Sequence, residues 1–304
     1  MTKPIPEVSV IVPAYNEAEN IAPLVQELAS VLTSEYEVII VDDGSTDATR
    51  AQAEAAAREY RFIVVTGYRR NRGKTEAILA GAEAARGKVL VVFDADMQFE
   101  ARDILRLVAE VRKGADMCTG HKQGRYEKRL VSGIYNVLAR VMFGLKVHDI
   151  NAVKAFRREV LDSLELRKDW HRYLVPLAAD LGFRITELPV KLRPRQRGVA
   201  KYQGRGRIVI GFFDLVAVWF QLRFMRKPML YFGSLGTLAC GLGVLAGILA
   251  ILLRLLGHGF RPLLYLVILL VLGGVVLFAL GFLAEMIAGL SDRISRLERK
   301  RLEK

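Results

Sequence analysis

The chain has 304 residues, 52% of them hydrophobic, with a mean hydropathy of +0.24 and a formal net charge of +13. That length allows two modest domains, or one domain with an appendage, and the apolar excess is unusual for a soluble enzyme. The two cysteines, Cys118 and Cys240, give neither a disulfide framework nor a cysteine metal spacing.

The first two hundred residues alternate strand-like and helix-like segments. "VSVIVPAYNE" reads as a strand running into a loop, followed by a helix through Leu24, Leu28 and Leu32. "YEVIIVDDGSTD" is a second strand, followed by an Ala-rich helix over 48–60; "RFIVVTG" is a third, followed by a helix over 75–86. "KVLVVFDAD" is the fourth and "ADMCTG" the fifth. Continuous Val/Ile runs joined by amphipathic helices predict an α/β fold, a mostly parallel sheet covered on both faces. Ligands of such sheets bind beyond the carboxyl ends of the strands. Asn16 and Glu17 follow the first strand, Asp42 and Asp43 the second, Asp94 and Asp96 the fourth, so one crevice collects them. Carboxylates gathered this way repel one another unless a cation or donor groups sit among them.

The fourth strand carries the sharpest local signal. In an extended segment residues two apart project from one side, so Asp94 and Asp96 can grip one object, and Gln98 continues the parity. A divalent metal with oxygen ligands fits, since Mg²⁺ typically takes one or two carboxylates plus substrate phosphates. The structural alternative is a capping turn in which Asp96 or Gln98 starts the next helix. Upstream, "GYRRNRGKTEA" resembles a P-loop, but five residues separate Gly67 from Gly73 where four are required, and Arg69, Arg70 and Arg72 replace small residues. That excludes an ATPase reading, and no G-x-G-x-x-G follows a strand to support a dinucleotide oxidoreductase.

After the fifth strand come Lys122, Arg125, Lys128 and Arg129, then a helix with Leu130, Ile134, Leu138 and Val141 at helical spacing, which faces either lipid or core. Asp149 follows, beside His148, which reads as an ordinary loop histidine. "KLRPRQRGVAKYQGRGR", residues 191–207, holds seven basic residues and no acid. No nucleic-acid-binding motif accompanies it, and its juxtamembrane position favours lipid phosphate as the partner. Residues 206–228 read as amphipathic interfacial helices, with a core helix as the alternative. Two uncharged runs, 229–253 and 262–284, each reach ~35 Å as helices and predict a transmembrane hairpin. Arg223, Arg226 and Lys227 precede it, while Arg293, Arg296, Arg299, Lys300, Arg301 and Lys304 follow; the connecting loop has only Arg254 and Arg261. The positive-inside rule then places both termini in the cytoplasm of a multi-pass plasma-membrane protein. The N-terminus lacks the pattern of a signal peptide, so the large N-terminal part is expected to stay cytoplasmic. Gly233, Gly236, Gly241 and Gly243 invite helix association and thus a homo-oligomer. The expected organisation is a catalytic domain over 1–205, juxtamembrane helices over 206–228, two spans within 229–290 and a basic tail over 291–304.

"VSVIVPAYNEAENI", "EVIIVDDGSTDAT", "NRGKTEAILAGAEAARG" and "VLVVFDADMQ", in this order, resemble the inverting GT-A glycosyltransferases that use nucleoside-diphosphate sugars. "KAFRREV", "HRYLVPLAADLGFRITELPV" and "RPRQRGVAKY", with the terminal hairpin, are similar to the membrane-anchored polyprenyl-phosphate sugar synthases, of the dolichyl-phosphate mannose synthase type. The resemblance implies that Pro13, Tyr15, Glu17, Val41 and Asp43 hold the nucleoside, and that Asp94, Ala95, Asp96 and Gln98 hold the diphosphate. Asp94, Asp96 and Gln98 would bind Mg²⁺ or Mn²⁺, and Arg172, Arg195 and Lys201 would reach the diphosphate from the other side. Lys122, Arg125, Lys128 and Arg129 become candidates for the acceptor phosphate, and Asp149 for a base or a metal-side carboxylate. Where the family shows Gly-Ser-Arg this chain has Gly120-His121-Lys122, a point charge in place of a bidentate fork. Two other readings share these features. A processive polysaccharide synthase would use the same donor site, but "QLRFM" does not fit its Q-x-x-R-W signature. An inactive membrane scaffold would not need the intact acidic set.

Overall fold

The computed structural model describes residues 6–123, 129–194, 213, 215–220, 222–223 and 227–302. The chain divides into two compact units, Met1–Phe212 and Phe213–Lys304.

The first unit is built on seven strands, β1 (Val8–Ala14), β2 (Tyr36–Asp43), β3 (Ile63–Tyr68), β4 (Val89–Val92), β5 (Met117–Gln123), β6 (Lys154–Arg157) and β7 (Ile185–Lys191). They form one sheet in the order β3-β2-β1-β4-β6-β5-β7. β1 is parallel to β2 and β4, β2 to β3, and β5 to β7; β6 alone runs antiparallel, against both β4 and β5. The expected mostly parallel sheet is therefore present, with one reversed strand that the short segment "KAFR" did not announce.

Helices α1 (Ala18–Val31), α2 (Thr49–Glu59), α3 (Lys74–Ala84), α4 (Ala101–Arg112), α5 (Arg129–Phe143), α6 (Arg158–Asp162) and α7 (Leu174–Asp180) complete this unit, with a 3₁₀ turn over Trp170–Tyr173. Alternation along β1 explains the two-faced covering. Val8, Val10 and Val12 join a core that includes Ile21, Leu24 and Leu28 of α1 and Ile104, Leu107 and Val108 of α4. Ile11 points the other way, onto α3, where a Cβ on Gly81 would lie 2.4 Å from its Cγ2. A larger residue there would push the helix off the sheet.

Strand order fixes where a ligand can sit. The chain moves outward from β1 to β2 and β3, then returns to place β4 on the opposite side of β1. The loops after β1 and β4 consequently diverge at their carboxyl ends, and a crevice opens at that switch point.

In the second unit a π-helical turn, Met229–Gly233, leads into α8 (Ser234–Leu255), and α9 runs over Arg261–Leu302. Met229–Leu255 (27 residues, mean hydropathy 2.3) and Arg261–Leu290 (30 residues, 3.0) are long and apolar enough to cross a bilayer, and only 6% of each span's most apolar stretch is buried. Core helices of a soluble domain would be covered; these leave their leucines outward, Leu269 at 70% exposure among them. The two helices meet through glycines. A Cβ on Gly236 would lie 2.6 Å from the Gly274 carbonyl oxygen, and one on Gly274 would lie 2.5 Å from Cys240 Sγ. One on Gly243 would lie 2.7 Å from Val271. Gly236 and Gly243 thus serve contacts within the hairpin. Gly233 lies against its own Met229 and also meets the other helix, where a Cβ on Gly281 would lie 3.0 Å from the Gly233 backbone nitrogen, whereas Gly241 meets nothing within 4 Å.

Candidate active site

β4 ends at Val92, and Phe93 extends it by one bond, its N–H donating to the Ile11 carbonyl over 2.9 Å. The chain then turns. Asp96 Oδ1 accepts the Gln98 N–H at 3.2 Å, and Met97 takes a left-handed φ of 57°. The strand geometry that made Asp94, Asp96 and Gln98 a same-side set therefore stops short of them. Their grouping survives because burial still alternates: Ala95, Met97 and Phe99 are inward while Asp94, Asp96 and Gln98 stay partly exposed. The alternative of a helix cap is not realised, because α4 begins at Ala101 and its first amide is taken by Glu27 Oε1 of α1 at 2.9 Å. Arg193 braces the same turn. Its N–H donates to the Gln98 carbonyl (2.8 Å), and its guanidinium reaches Glu27 (2.9 Å) and Glu100 (3.3 Å).

Cationic groups stand among these carboxylates. Lys74, at the start of α3, is paired with Asp94. Burial raises the Asp94 pKa, but the charge and hydrogen bond of Lys74, helped by Lys154, hold it below the usual range. Lys154 opens β6, is 5% exposed and donates to the Ala152 carbonyl at 2.8 Å. Burial, then the nearby Lys74 charge, pushes it down to about 8, against the pull of Asp94 and Asp149. Asp149 is itself buried; its Oδ1 accepts the Asn151 N–H (2.9 Å) and its Oδ2 lies 3.5 Å from Lys122 Nζ. His171, on the 3₁₀ turn, shares a 3.0 Å hydrogen bond through Nδ1 with Thr75 Oγ1. Burial first, then the charges of Lys74, Arg172 and Lys154, pushes it down to about 2. Arg172 thus belongs to the same electrostatic neighbourhood as Lys74, Lys154 and Asp94.

The rim after β1 and β2 is a network of loop bonds. Asp43 accepts the amides of Arg72 (2.8 Å) and Gly73 (2.9 Å), one on each oxygen. In a P-loop those amides would face phosphate; here a carboxylate consumes them, which is the structural counterpart of the spacing mismatch. Asp42 Oδ1 accepts the Ser45 amide at 3.1 Å, and Asn16 exchanges bonds with Ser45 and Thr46. Gly44, at φ +69°, allows the loop after β3 to approach; a Cβ there would lie 2.4 Å from the Arg70 carbonyl carbon. Glu17 accepts from Asn20 Nδ2 at 2.6 Å. Pro13 and Tyr15 are half-buried at the end of β1, while Val41 is fully buried against α3.

The sequence profile described as Glycosyl transferase family 2 matches residues 9–164, which take in β1 to β6 and the whole acidic rim. The chain belongs to glycosyl transferase family 2. Two relatives place it more closely. It is 35% identical over 300 residues to the dodecaprenyl-phosphate galacturonate synthase of Rhizobium johnstonii, covering 93% of this chain and 88% of that one. It is 31% identical over 261 residues to an undecaprenyl-phosphate 4-deoxy-4-formamido-L-arabinose transferase of Pseudomonas fluorescens, covering 83% and 75%. Among solved structures it is similar to glucosyl-3-phosphoglycerate synthase of Mycobacterium tuberculosis, crystallised with Mn²⁺, UDP and glucosyl-3-phosphoglycerate. The TM-score is 0.57 at 20% identity, over 71% of this chain and 80% of that one, a likeness of fold. This family 2 glycosyltransferase has the GT-A fold.

The residues present fit a divalent ion at the rim. Asp94, Asp96 and Gln98 offer only oxygen ligands, on one turn, with Asp94 held ionised by its neighbours. Of the other expected site residues, Arg125, Lys128, Arg195 and Lys201 lie outside the described residues, as does the side chain of Arg129 at the start of α5. On α5, Ala139 is buried whereas Val137 (49%) and Val141 (76%) are exposed. Lys74, Lys154 and His171 were missed by sequence reasoning. Lys74 sat within a motif dismissed as a failed P-loop, and nothing in "KAFRREV" marks Lys154 as buried.

Proposed function

We propose that this glycosyltransferase moves a hexose-type sugar from a nucleoside-diphosphate sugar to a polyprenyl phosphate, with inversion at the anomeric carbon. The observation that carries the reading is the juxtaposition of an oxygen-rich turn, Asp94-Asp96-Gln98, with the cations Lys74, Lys154, Lys122 and Arg172 at one switch point. Two anionic groups, a diphosphate and a lipid phosphate, need that combination. The names of the two relatives point to the same acceptor class, and the two long apolar helices supply a means of meeting it in a bilayer.

A divalent ion held by Asp94, Asp96 and Gln98 would supply Lewis-acid charge to the departing diphosphate. The remaining work falls to the chain. Pro13, Tyr15, Glu17 and the Val41 backbone line the nucleoside side, and Asp43 holds the Arg72–Gly73 loop against it while keeping lone pairs for a base. Arg172 would meet the diphosphate, the role that the resemblance implies for Arg195 and Lys201 as well. Lys122 would receive the acceptor phosphate, with Arg125, Lys128 and Arg129 as further candidates for that role. That phosphate is anionic at neutral pH, so one of its oxygens attacks the anomeric carbon as the bond to the diphosphate breaks, and the electron pair leaves with the nucleoside diphosphate. No strong base is needed. Asp149, engaged by Lys122, is a positioning residue that sets the direction of that ammonium. The exposed Val137 and Val141 face of α5 is suited to the lipid chain. The catalytic domain and both termini lie in the cytoplasm, with the hairpin as a multi-pass anchor.

Radiolabelled UDP- and GDP-sugars incubated with undecaprenyl or dolichyl phosphate test this directly. Label should enter the organic phase only with a divalent metal, and Asp96→Ala should reduce it by at least about 100-fold. Label appearing in long water-soluble polymer would instead support a processive synthase, and none with any donor would favour a scaffold.

A further inference from the structure

On the reverse side of β5 from Lys122 lies a cluster that the transfer reaction does not use. Adjacent residues of a strand point to opposite faces, so His121 points away from Lys122 and shares the face of Thr119, which pairs with Lys154 of β6. β5 and β7 run parallel with Thr119 opposite Glu187, which puts His121 and Glu187 on one face two positions apart. His148, from the loop after α5, completes the group. Its backbone N–H donates to Glu187 Oε2 at 2.6 Å, and its Nδ1 is bonded to Oε1 of the same carboxylate. The two imidazoles stack nearly parallel, 5.1 Å between centroids and 14° between planes. His121 Nδ1 also lies 3.3 Å from Gln123 Nε2.

We propose that His121, His148 and Glu187 form a binding site for a transition-metal ion of the Zn²⁺ class, separate from the oxygen-rich rim. One ligating atom from each residue lies within 4.8 Å of the other two. Zn–N bonds of ~2.0–2.1 Å place tetrahedral ligands about 3.4 Å apart, so closure needs shifts on the order of 1 Å. His148, with half its side chain exposed, has room to make them. Two nitrogens and one carboxylate oxygen suit Zn²⁺, Ni²⁺ or Cu²⁺ better than Mg²⁺, whereas Asp94, Asp96 and Gln98 have the opposite preference. Exposure on one side leaves space for a water as fourth ligand. The consequence is mechanical. His121 precedes Lys122 and His148 precedes Asp149, so an ion here would tie together the backbone on both sides of the Lys122–Asp149 pair.

The test uses the full chain purified in detergent with a histidine-free affinity tag and stripped with EDTA. Zn²⁺ is titrated in competition with a chromophoric chelator, and Co²⁺ is added separately to read its ligand-field bands. One equivalent should bind to the wild type and equally to an Asp94→Asn/Asp96→Asn variant. Its affinity should fall at least tenfold in His121→Gln, in His148→Gln and in Glu187→Gln, with the Co²⁺ bands lost in parallel. Metal-free melting curves of the variants identify any that fail to fold, and the remaining single variants then decide. If no equivalent binds, or if it binds unchanged without His121 and His148, the cluster is only a hydrogen-bonded surface group and the proposal is wrong.

Discussion

Asp94 and Lys154 lie in the same crevice under opposite pressures. Burial opposes the charge on each, yet Lys74 keeps Asp94 ionised, whereas the same Lys74 charge adds to the strain on Lys154. For Lys154 the folded value of about 8 lies below the ordinary lysine value of 10.5, so between those values the unfolded chain binds the extra proton. The cost of keeping it charged is fully present below about pH 8 and is relieved as pH rises towards 10.5. Metal-free wild type should therefore gain stability relative to Lys154→Met on going from neutral to alkaline pH, by on the order of 2 kcal/mol. Melting curves of the two proteins across that range check it, and a pH-independent difference would contradict the assignment. At this scale the sequence was legible where chemistry is local. Asp94, Asp96 and Gln98 announce themselves within five residues, and the expected repulsion among carboxylates correctly called for donors. Which donors was not legible, because Lys154 becomes a buried ammonium only when β6 slots between β4 and β5.

Among the elements, the strands read most clearly, since Val/Ile runs covered on both faces have little alternative to a buried parallel sheet. β6 escaped notice because four residues with Lys and Arg at the ends carry no period. The Arg193–Glu27 brace escaped for a different reason: it joins positions 166 residues apart, and Arg193 had been counted in a basic stretch assigned to lipid. The hairpin was visible as apolar length, but the use of its glycines was not. Small residues serve equally for an internal seam or a partner copy, and only the contacts of Gly236 and Gly274 show the first use. Gly274→Leu should therefore force α8 and α9 apart, costing about 1–3 kcal/mol. A lowered melting temperature in detergent, with Gly241→Leu as the unaffected comparison because nothing lies near it, is the expected result.

The whole molecule combines a GT-A unit with a second unit whose two apolar helices remain largely uncovered. If the basic flanks set topology, the loop between the spans faces away from the cytoplasm. A cysteine introduced at Gly259, in a background with Cys118 and Cys240 replaced, should react with a membrane-impermeant maleimide from outside intact cells or spheroplasts. One introduced at Ser45 should react only after lysis. The reverse pattern would invert the anchor and separate the site from cytoplasmic sugar nucleotides. The central claim concerns the rim itself, where Asp94 is paired with Lys74. A bound-state map of the full chain with Mn²⁺ and the nucleoside diphosphate of its donor, using the anomalous signal of the ion, tests it most directly. Ion density in contact with the Asp94 and Asp96 carboxylates and with the diphosphate is the predicted result. Nucleotide bound with the Asp94–Lys74 pair intact and no ion at the turn would contradict it.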